Sequence, residues 1–163
     1  MWRVLTLLAA LLPAGGFARA ETFLTQDQAL ALVFEKPAGA RKTDLPDGLR
    51  AFTGEMKKGG RGVAFIDAVI GKHEPITYLV AVNADGEVQR VEILEYREAY
   101  GGEIRQASWR EQFKGAKSDH PPEHGGEIRN IAGATLSCKH VTEGVAKVLK
   151  TFEENKERLL GGK

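Results

Sequence analysis

The sequence contains a single cysteine, Cys138, in 163 residues. One thiol cannot close an internal disulfide, so an apolar core must stabilise the fold alone. Without a Cys-x-x-Cys-His run, attachment of a c-type haem is excluded, and no zinc-ligand spacing occurs. A basic run with interleaved aromatics is missing and the formal net charge is only +1, which argues against nucleic acid as a partner. Gly-x-Gly-x-x-Gly is absent, so no Rossmann-type nicotinamide site is indicated, and there is no serine nucleophile elbow. Neither an internal repeat nor a low-complexity tract is present.

What is present begins with a leader. Arg3 supplies a positive start, Val4 to Leu12 an apolar stretch, and Ala18-Arg19-Ala20 a small-x-small cleavage site. The apolar stretch is short of the roughly 20 residues that a spanning helix needs. Residues 1–20 are therefore expected to be a secretory signal peptide, with a mature start at Glu21 and a periplasmic or extracytoplasmic destination. Its removal turns the formal charge to about −1. The remainder, 28% charged and 42% hydrophobic over the whole chain, suits one soluble domain over residues 21–163.

Thr25 to Phe34 reads as a helix, with Thr25 and Gln28 in capping-box register. Glu35 to Thr43 reads as a loop. Asp47 to Met56 reads as a weaker helix, with Leu49, Phe52 and Met56 on one side. Lys57 to Arg61 is a polar hinge or hairpin. Three strands follow, Val63–Ile70, Ile76–Val82 and Val88–Tyr96, and the Asp85-Gly86 pair between the last two signals a hairpin. Glu98 to Gly102 is a loop with paired glycines. Ile104 to Phe113 is a short helix, Gly115 to Gly126 a loop, and Ile128 to Ile131 a return to the sheet. This order predicts an α+β fold, an antiparallel sheet with helices packed on one face and a long C-terminal helix.

The stretch Arg129 to His140 organises the rest. Gly133 permits a positive φ, Ala134 is small, and Thr135 is expected at or near a helix N-cap. Beyond it Val141, Val145, Val148, Leu149 and Phe152 form one apolar face of a helix running to about Leu160. A helix start of this kind can hold a phosphate on its backbone N–H groups. An ordinary capped helix packed on a sheet satisfies the same pattern.

Ala132-Gly133-Ala134-Thr135-Leu136-Ser137 resembles the Ser/Thr-Gly-Ala-Thr motif of extracytoplasmic FMN-binding domains. Leu94 to Ile104 resembles that family's Glu-Thr-Pro-Gly-Leu-Gly-Gly-Glu-Ile region, with Trp109 and Gln112 to Gly115 following in family order. The family includes the flavin-carrying subunits of the sodium-pumping NADH:quinone oxidoreductase and of the Rnf-type ion-pumping complex. The resemblance implies a single FMN-binding domain with FMN joined to Thr135 by a phosphoester, which a separate flavin transferase makes from FAD. It implies a carrier of electrons between a membrane or periplasmic redox donor and an acceptor, rather than an enzyme with its own small substrate. It places Gly133, Ala134 and Ser137 at the attachment turn. It also places Tyr96, Glu98, Tyr100, Gly101, Gly102, Glu103 and Trp109 around the flavin, with Tyr78 as a further aromatic of the slot. Two positions depart from the family: Ala132 stands where Ser or Thr is frequent, and Arg129 where Asp is frequent. A module that binds FMN or another phosphate compound without a covalent bond is the alternative, and a cofactor-free adaptor of a membrane redox complex a third.

Other candidates carry a structural reading beside the functional one. Each aromatic can be plain core, and Glu98 and Glu103 can be loop acids facing water. Cys138 is either a small buried core residue or a thiol near the flavin. His120 and His124, in Asp-His-Pro-Pro-Glu-His, read as an exposed polar loop, because the prolines prevent a helix that would align both imidazoles. His73 reads as structural or exposed. His140 stands too far along the helix to activate the Thr135 hydroxyl.

Overall fold

The computed structural model describes residues 21–98 and 100–161. The expected leader, residues 1–20, lies outside the described residues. Six strands form one antiparallel sheet: β1 (Glu21–Thr22), β2 (Arg41–Asp44), β3 (Arg50–Glu55), β4 (Arg61–Ile70), β5 (Pro75–Asn83) and β6 (Val88–Tyr96). Their spatial order is β1-β6-β5-β4-β3-β2. The helices are α1 (Gln26–Val33), the single turn α2 (Ala107–Arg110) and α3 (Thr135–Leu160). The fold is α+β, as the sequence predicts. No helix among the described residues is long and apolar enough to cross a membrane.

Helices cover both faces of the sheet, not one. Val63 and Phe65 of β4 and Tyr78, Val80 and Val82 of β5 pack with Cys138, Val141, Val145, Val148 and Phe152 of α3. The intervening Ala64, Ile66, Leu79 and Ala81 pack with Ala29, Leu30 and Val33 of α1. The unbroken apolar runs of β4 and β5 are what a strand buried on both faces requires.

α1 starts as expected: Thr25 Oγ1 accepts from Gln28 N (3.2 Å) while Gln28 Oε1 accepts from Thr25 N (2.8 Å). The helix expected over Asp47 to Met56 is instead a 3₁₀ turn, Pro46–Gly48, followed by β3. Leu49, Phe52 and Met56 have helical spacing, but pairing of β3 with β4 from Arg50↔Ile66 to Glu55↔Arg61 satisfies the backbone and places Leu49 and Phe52 in opposite cores. The expected loop over Glu35–Thr43 ends in β2, an edge strand paired with β3. The short helix expected over Ile104–Phe113 is broken into 3₁₀ turns at Gly102–Arg105 and Glu111–Phe113 with α2 between them. Ile128 to Ile131 does not return to the sheet. Local backbone and side chains meet its polar groups instead: Ile128 N donates to Glu123 O (3.1 Å), Trp109 Nε1 donates to Arg129 O (2.9 Å), and Arg129 N donates to Gln112 Oε1 (3.0 Å).

α3 lies close on the sheet because Gly144 faces Tyr78. A Cβ at Gly144 would overlap the Tyr78 hydroxyl and stand 2.8 Å from Cζ of its ring. Tyr78 is fully buried, and its hydroxyl donates to Asp67 Oδ2 (3.1 Å). Burial first, then the Asp67 carboxylate, push the phenol well above its usual range, so it stays a neutral donor. At the far end of α3, Arg41 Nη2 of β2 donates to the carbonyls of Leu159 (2.5 Å) and Arg158 (3.2 Å). A cation there meets the orphan carbonyls and the negative end of the helix dipole.

Candidate functional site

Three segments meet at the start of α3: the turn before the helix, the loop after β6, and the turn between β4 and β5. They enclose a cavity of about 670 Å³, within the size range of small-molecule sites. The pre-helix turn contributes Ala132, Gly133, Ala134, Thr135, Leu136 and Ser137. The post-β6 loop contributes Glu98, Tyr100, Gly101 and Glu103, and the β4–β5 turn contributes Lys72 and His73.

Thr135 is the first helical residue rather than the cap. Ala134 occupies the N-cap position, and no side chain caps it. The Thr135 hydroxyl accepts instead from Asn130 Nδ2 (3.1 Å). A helix beginning this way keeps N–H groups of its first turn without intrahelical acceptors, and those residues border the cavity. Gly133 has φ +83°, and a Cβ built there would meet nothing within 4 Å, so the turn is open on its outer side.

Gly101 is where the post-β6 loop touches the helix. Its φ is +89°, and a Cβ would stand 2.5 Å from Ala134 Cβ and 2.7 Å from the Tyr96 hydroxyl. The glycine therefore lets two backbones approach, and Ala134 must be small for the same reason. Tyr96 fixes the contact from below. Its hydroxyl donates to Tyr100 O and shares a 3.2 Å hydrogen bond with Ser137 Oγ. Burial raises its pKa above that of a free phenol, against the lowering effect of the Ser137 bond.

Glu98 does not present a free carboxylate. Its Oε1 accepts from the backbone N–H groups of His73 (2.5 Å) and Glu74 (2.9 Å). Its side chain is only 9% exposed, with His73 Nδ1 3.7 Å from Oε2. Burial alone would raise its pKa; the amides of Glu74, His73 and Lys72, with His73 itself, outweigh burial and hold it below the ordinary carboxylate range.

The other residues singled out in the sequence fall as follows. Tyr100 (83% exposed) and Glu103 stand at the rim, and Gly102 lies outside the cavity, in the adjoining 3₁₀ turn. Trp109 and Tyr78 do not line the cavity. Trp109 packs edge-on against Phe113 and holds the Arg129 carbonyl, while Tyr78 lies under Gly144. Cys138 is fully buried in the core, and burial raises its thiol pKa. His120 Nε2 sits 3.4 Å from Glu127, and His124 Nε2 3.3 Å from Asn130 Oδ1. No cluster of three or more metal-ligating side chains occurs among the described residues. Sequence reasoning passes over Lys72, Leu136 and Asn130, and the Glu98 bonds that fasten the β4–β5 turn. The only signal for that turn is Gly71 and Pro75 bracketing three charged or imidazole residues between two strands.

The arrangement defines a class first: a small-molecule site at an uncapped helix N-terminus, with a hydroxyl beside it, suited to a phosphate-bearing ligand. Residues 71–150, which carry this whole site, match the family described as the FMN-binding domain. The chain is also similar to a subunit of the ion-translocating oxidoreductase complex of Pseudomonas aeruginosa. The two are 31% identical over 96 residues, 52% of this chain and 45% of that protein. The corresponding protein from Shewanella piezotolerans is 30% identical over 117 residues, 63% of this chain and 55% of that protein. That from Stutzerimonas stutzeri is 26% identical over 98 residues, 53% of this chain and 43% of that protein. The chain spans about half the length of the curated relatives it matches.

The residues present fit FMN. The uncapped first turn of α3 offers N–H groups to a phosphate, and the open side of Gly133 leaves that approach clear. Leu136 and Tyr100 give the cavity apolar and aromatic surface, which a flat ring system requires.

Proposed function

We propose that the chain is an exported electron-carrying flavoprotein that holds FMN at Thr135 through a phosphoester bond. The observation that carries this is the exposed Thr135 hydroxyl at the mouth of α3, on the border of the cavity and beside the uncapped helix start. In forming the ester, the threonine oxygen takes the FMN phosphorus of FAD, the pyrophosphate bond breaks, and AMP leaves with the proton. Among the described residues neither His140 nor an acid hydrogen-bonds the hydroxyl, whose partner is Asn130, so a separate flavin transferase supplies the base. His140 Nδ1 is occupied by the carbonyls of Ile70 and Gly71.

When bound, FMN supplies one- or two-electron chemistry and so can join donors and acceptors of different electron count. The protein's share is to fix and shield it. The first-turn amides of α3 would hold the phosphate, while Tyr96 and Gly101 hold the loop wall. Leu136 and Tyr100 would offer the ring apolar and aromatic surface. The relatives are subunits of an ion-translocating oxidoreductase complex, which supports a membrane or periplasmic redox donor and acceptor. The leader sequence supports an extracytoplasmic location.

Non-covalent FMN is the second reading, favoured by Arg129 and Ala132 at positions where the family frequently has Asp and Ser or Thr. Intact mass after denaturation separates the two. Protein co-expressed with a flavin transferase is expected to carry the mass of FMN less water on the peptide containing Thr135, and Thr135→Ala is expected to lose it. Yellow protein that releases all its flavin on denaturation would support the second reading. Colourless protein of unmodified mass would refute both and favour a cofactor-free adaptor.

A further inference from the structure

The turn between β4 and β5, Gly71 to Glu74, is polar and exposed along its tip, yet three ties hold it. Gly71 N donates to Glu74 O (2.8 Å), closing the turn. From the post-β6 loop, Glu98 fills the concavity formed by successive backbone amides, at 2.5 Å from His73 N and 2.9 Å from Glu74 N. Concavities of this type ordinarily receive an external anion; here the chain supplies its own. From α3, His140 Nδ1 lies 2.6 Å from Ile70 O and 3.1 Å from Gly71 O. Both partners can only accept, so Nδ1 carries a proton and donates. Gly71 is pressed into this clamp: a Cβ there would stand 2.8 Å from Glu98 Oε1 and 3.0 Å from Ile76 Cδ1.

Both neighbouring walls of the cavity thus fasten one short turn, and the side chains it displays into the cavity lining are Lys72 and His73. Among the described residues, no acid pairs with Lys72. Glu98 Oε1 is taken up by the amides of the turn and its Oε2 lies 3.7 Å from His73 Nδ1, so Lys72 is the basic side chain of the lining with no acid beside it, His73 is the second basic group, and Glu103 is the lining's other acid. We infer that Lys72 and His73 are ligand-binding residues that offset the phosphate charge of FMN, and that Glu98 is the positioning residue that holds their turn at the cavity. This rests on the FMN reading of the site.

The test uses Thr135→Ala protein, in which binding is an equilibrium, titrated with FMN and with riboflavin, which lacks the phosphate. Adding Lys72→Ala and His73→Ala is expected to weaken FMN on the order of fivefold, the scale of a partly exposed ion pair, and to leave riboflavin unchanged. Glu98→Ala is expected to cause the same selective loss and to speed amide exchange in residues 72–74 at least about tenfold. Glu98→Gln, which keeps an acceptor oxygen, is expected to restore much of both. FMN affinity unchanged by the Lys72 and His73 substitutions would overturn the binding role. Equal weakening of riboflavin would overturn the phosphate assignment. Unchanged exchange in Glu98→Ala would overturn the positioning role, whatever the flavin does. Failure of the Thr135→Ala background to bind either flavin would overturn the counter-charge role, while the mass of the Thr135 peptide in the unsubstituted protein decides the FMN reading separately; exchange still decides the role of Glu98.

Discussion

Replacing Gly144 with alanine sets two effects of opposite sign against each other. In an exposed helix interior the change would stabilise by about 1 kcal/mol, because glycine is the poorer helix former. In α3 the new methyl group collides with the hydroxyl of Tyr78 and stands 2.8 Å from its ring and 3.2 Å from Val69 Cγ1. Tyr78 cannot swing away: it is fully buried, and its hydroxyl is bound to Asp67. Either α3 lifts from the sheet, an overpacking cost of about 1–3 kcal/mol, or the bond to a charged acceptor breaks, at about 1.5–3 kcal/mol. The cost outweighs the propensity gain, and a net loss of about 1 kcal/mol is expected. For a domain of this size that lowers Tm by about 2–4 °C. Thermal unfolding followed by circular dichroism measures it. Tyr78→Phe removes the colliding oxygen, so the double variant is expected to lose about 1 kcal/mol less than the sum of the singles. An increase in Tm for Gly144→Ala would refute the close approach of α3 to β5.

Gly101→Ala combines a left-handed backbone with collisions at Ala134 and Tyr96, so a loss of about 2–3 kcal/mol in Tm analysis and reduced flavin content are expected. The depressed pKa of Glu98 stabilises the fold fully above its unfolded value of 4.5, and that contribution is lost as pH falls through the lower folded value. Protection of the 72–74 amides, taken relative to the intrinsic exchange rate at each pH, is therefore expected to fall on acidification below about pH 4.5 in the native protein, and in Glu98→Gln to lose that dependence. Cys138 is fully buried with a raised thiol pKa, so its reaction with a disulfide reagent is expected to be on the order of a hundredfold slower in native than in denatured protein.

The elements written in the local sequence are those whose signals need no distant partner. The Thr25–Gln28 capping box, the Asp85-Gly86 hairpin and the apolar face of α3 are each complete within a few residues. β3 escapes a local reading because Leu49, Phe52 and Met56 are compatible with a helix until pairing with β4 is known. The second covered face is visible in principle, since Val63–Ile66 and Tyr78–Val82 leave no polar side, but α1 is too short to announce where it packs. At the site, the motif locates Thr135 and the glycine loop to within a residue. It cannot reveal that Glu98 turns to the backbone of a turn some 25 positions earlier, nor that Trp109 supports Arg129. Those roles depend on contacts between segments far apart in the chain.

The grip of Arg41 on the last carbonyls of α3 completes a mounting with a fastening at either end, the other being His140 and the Gly101–Ala134 contact. A rod held at both ends does not pivot. A group bonded to Thr135 would swing only about the single bonds of its own tether, so its reach toward a neighbouring molecule is set by tether length rather than by bending of the scaffold.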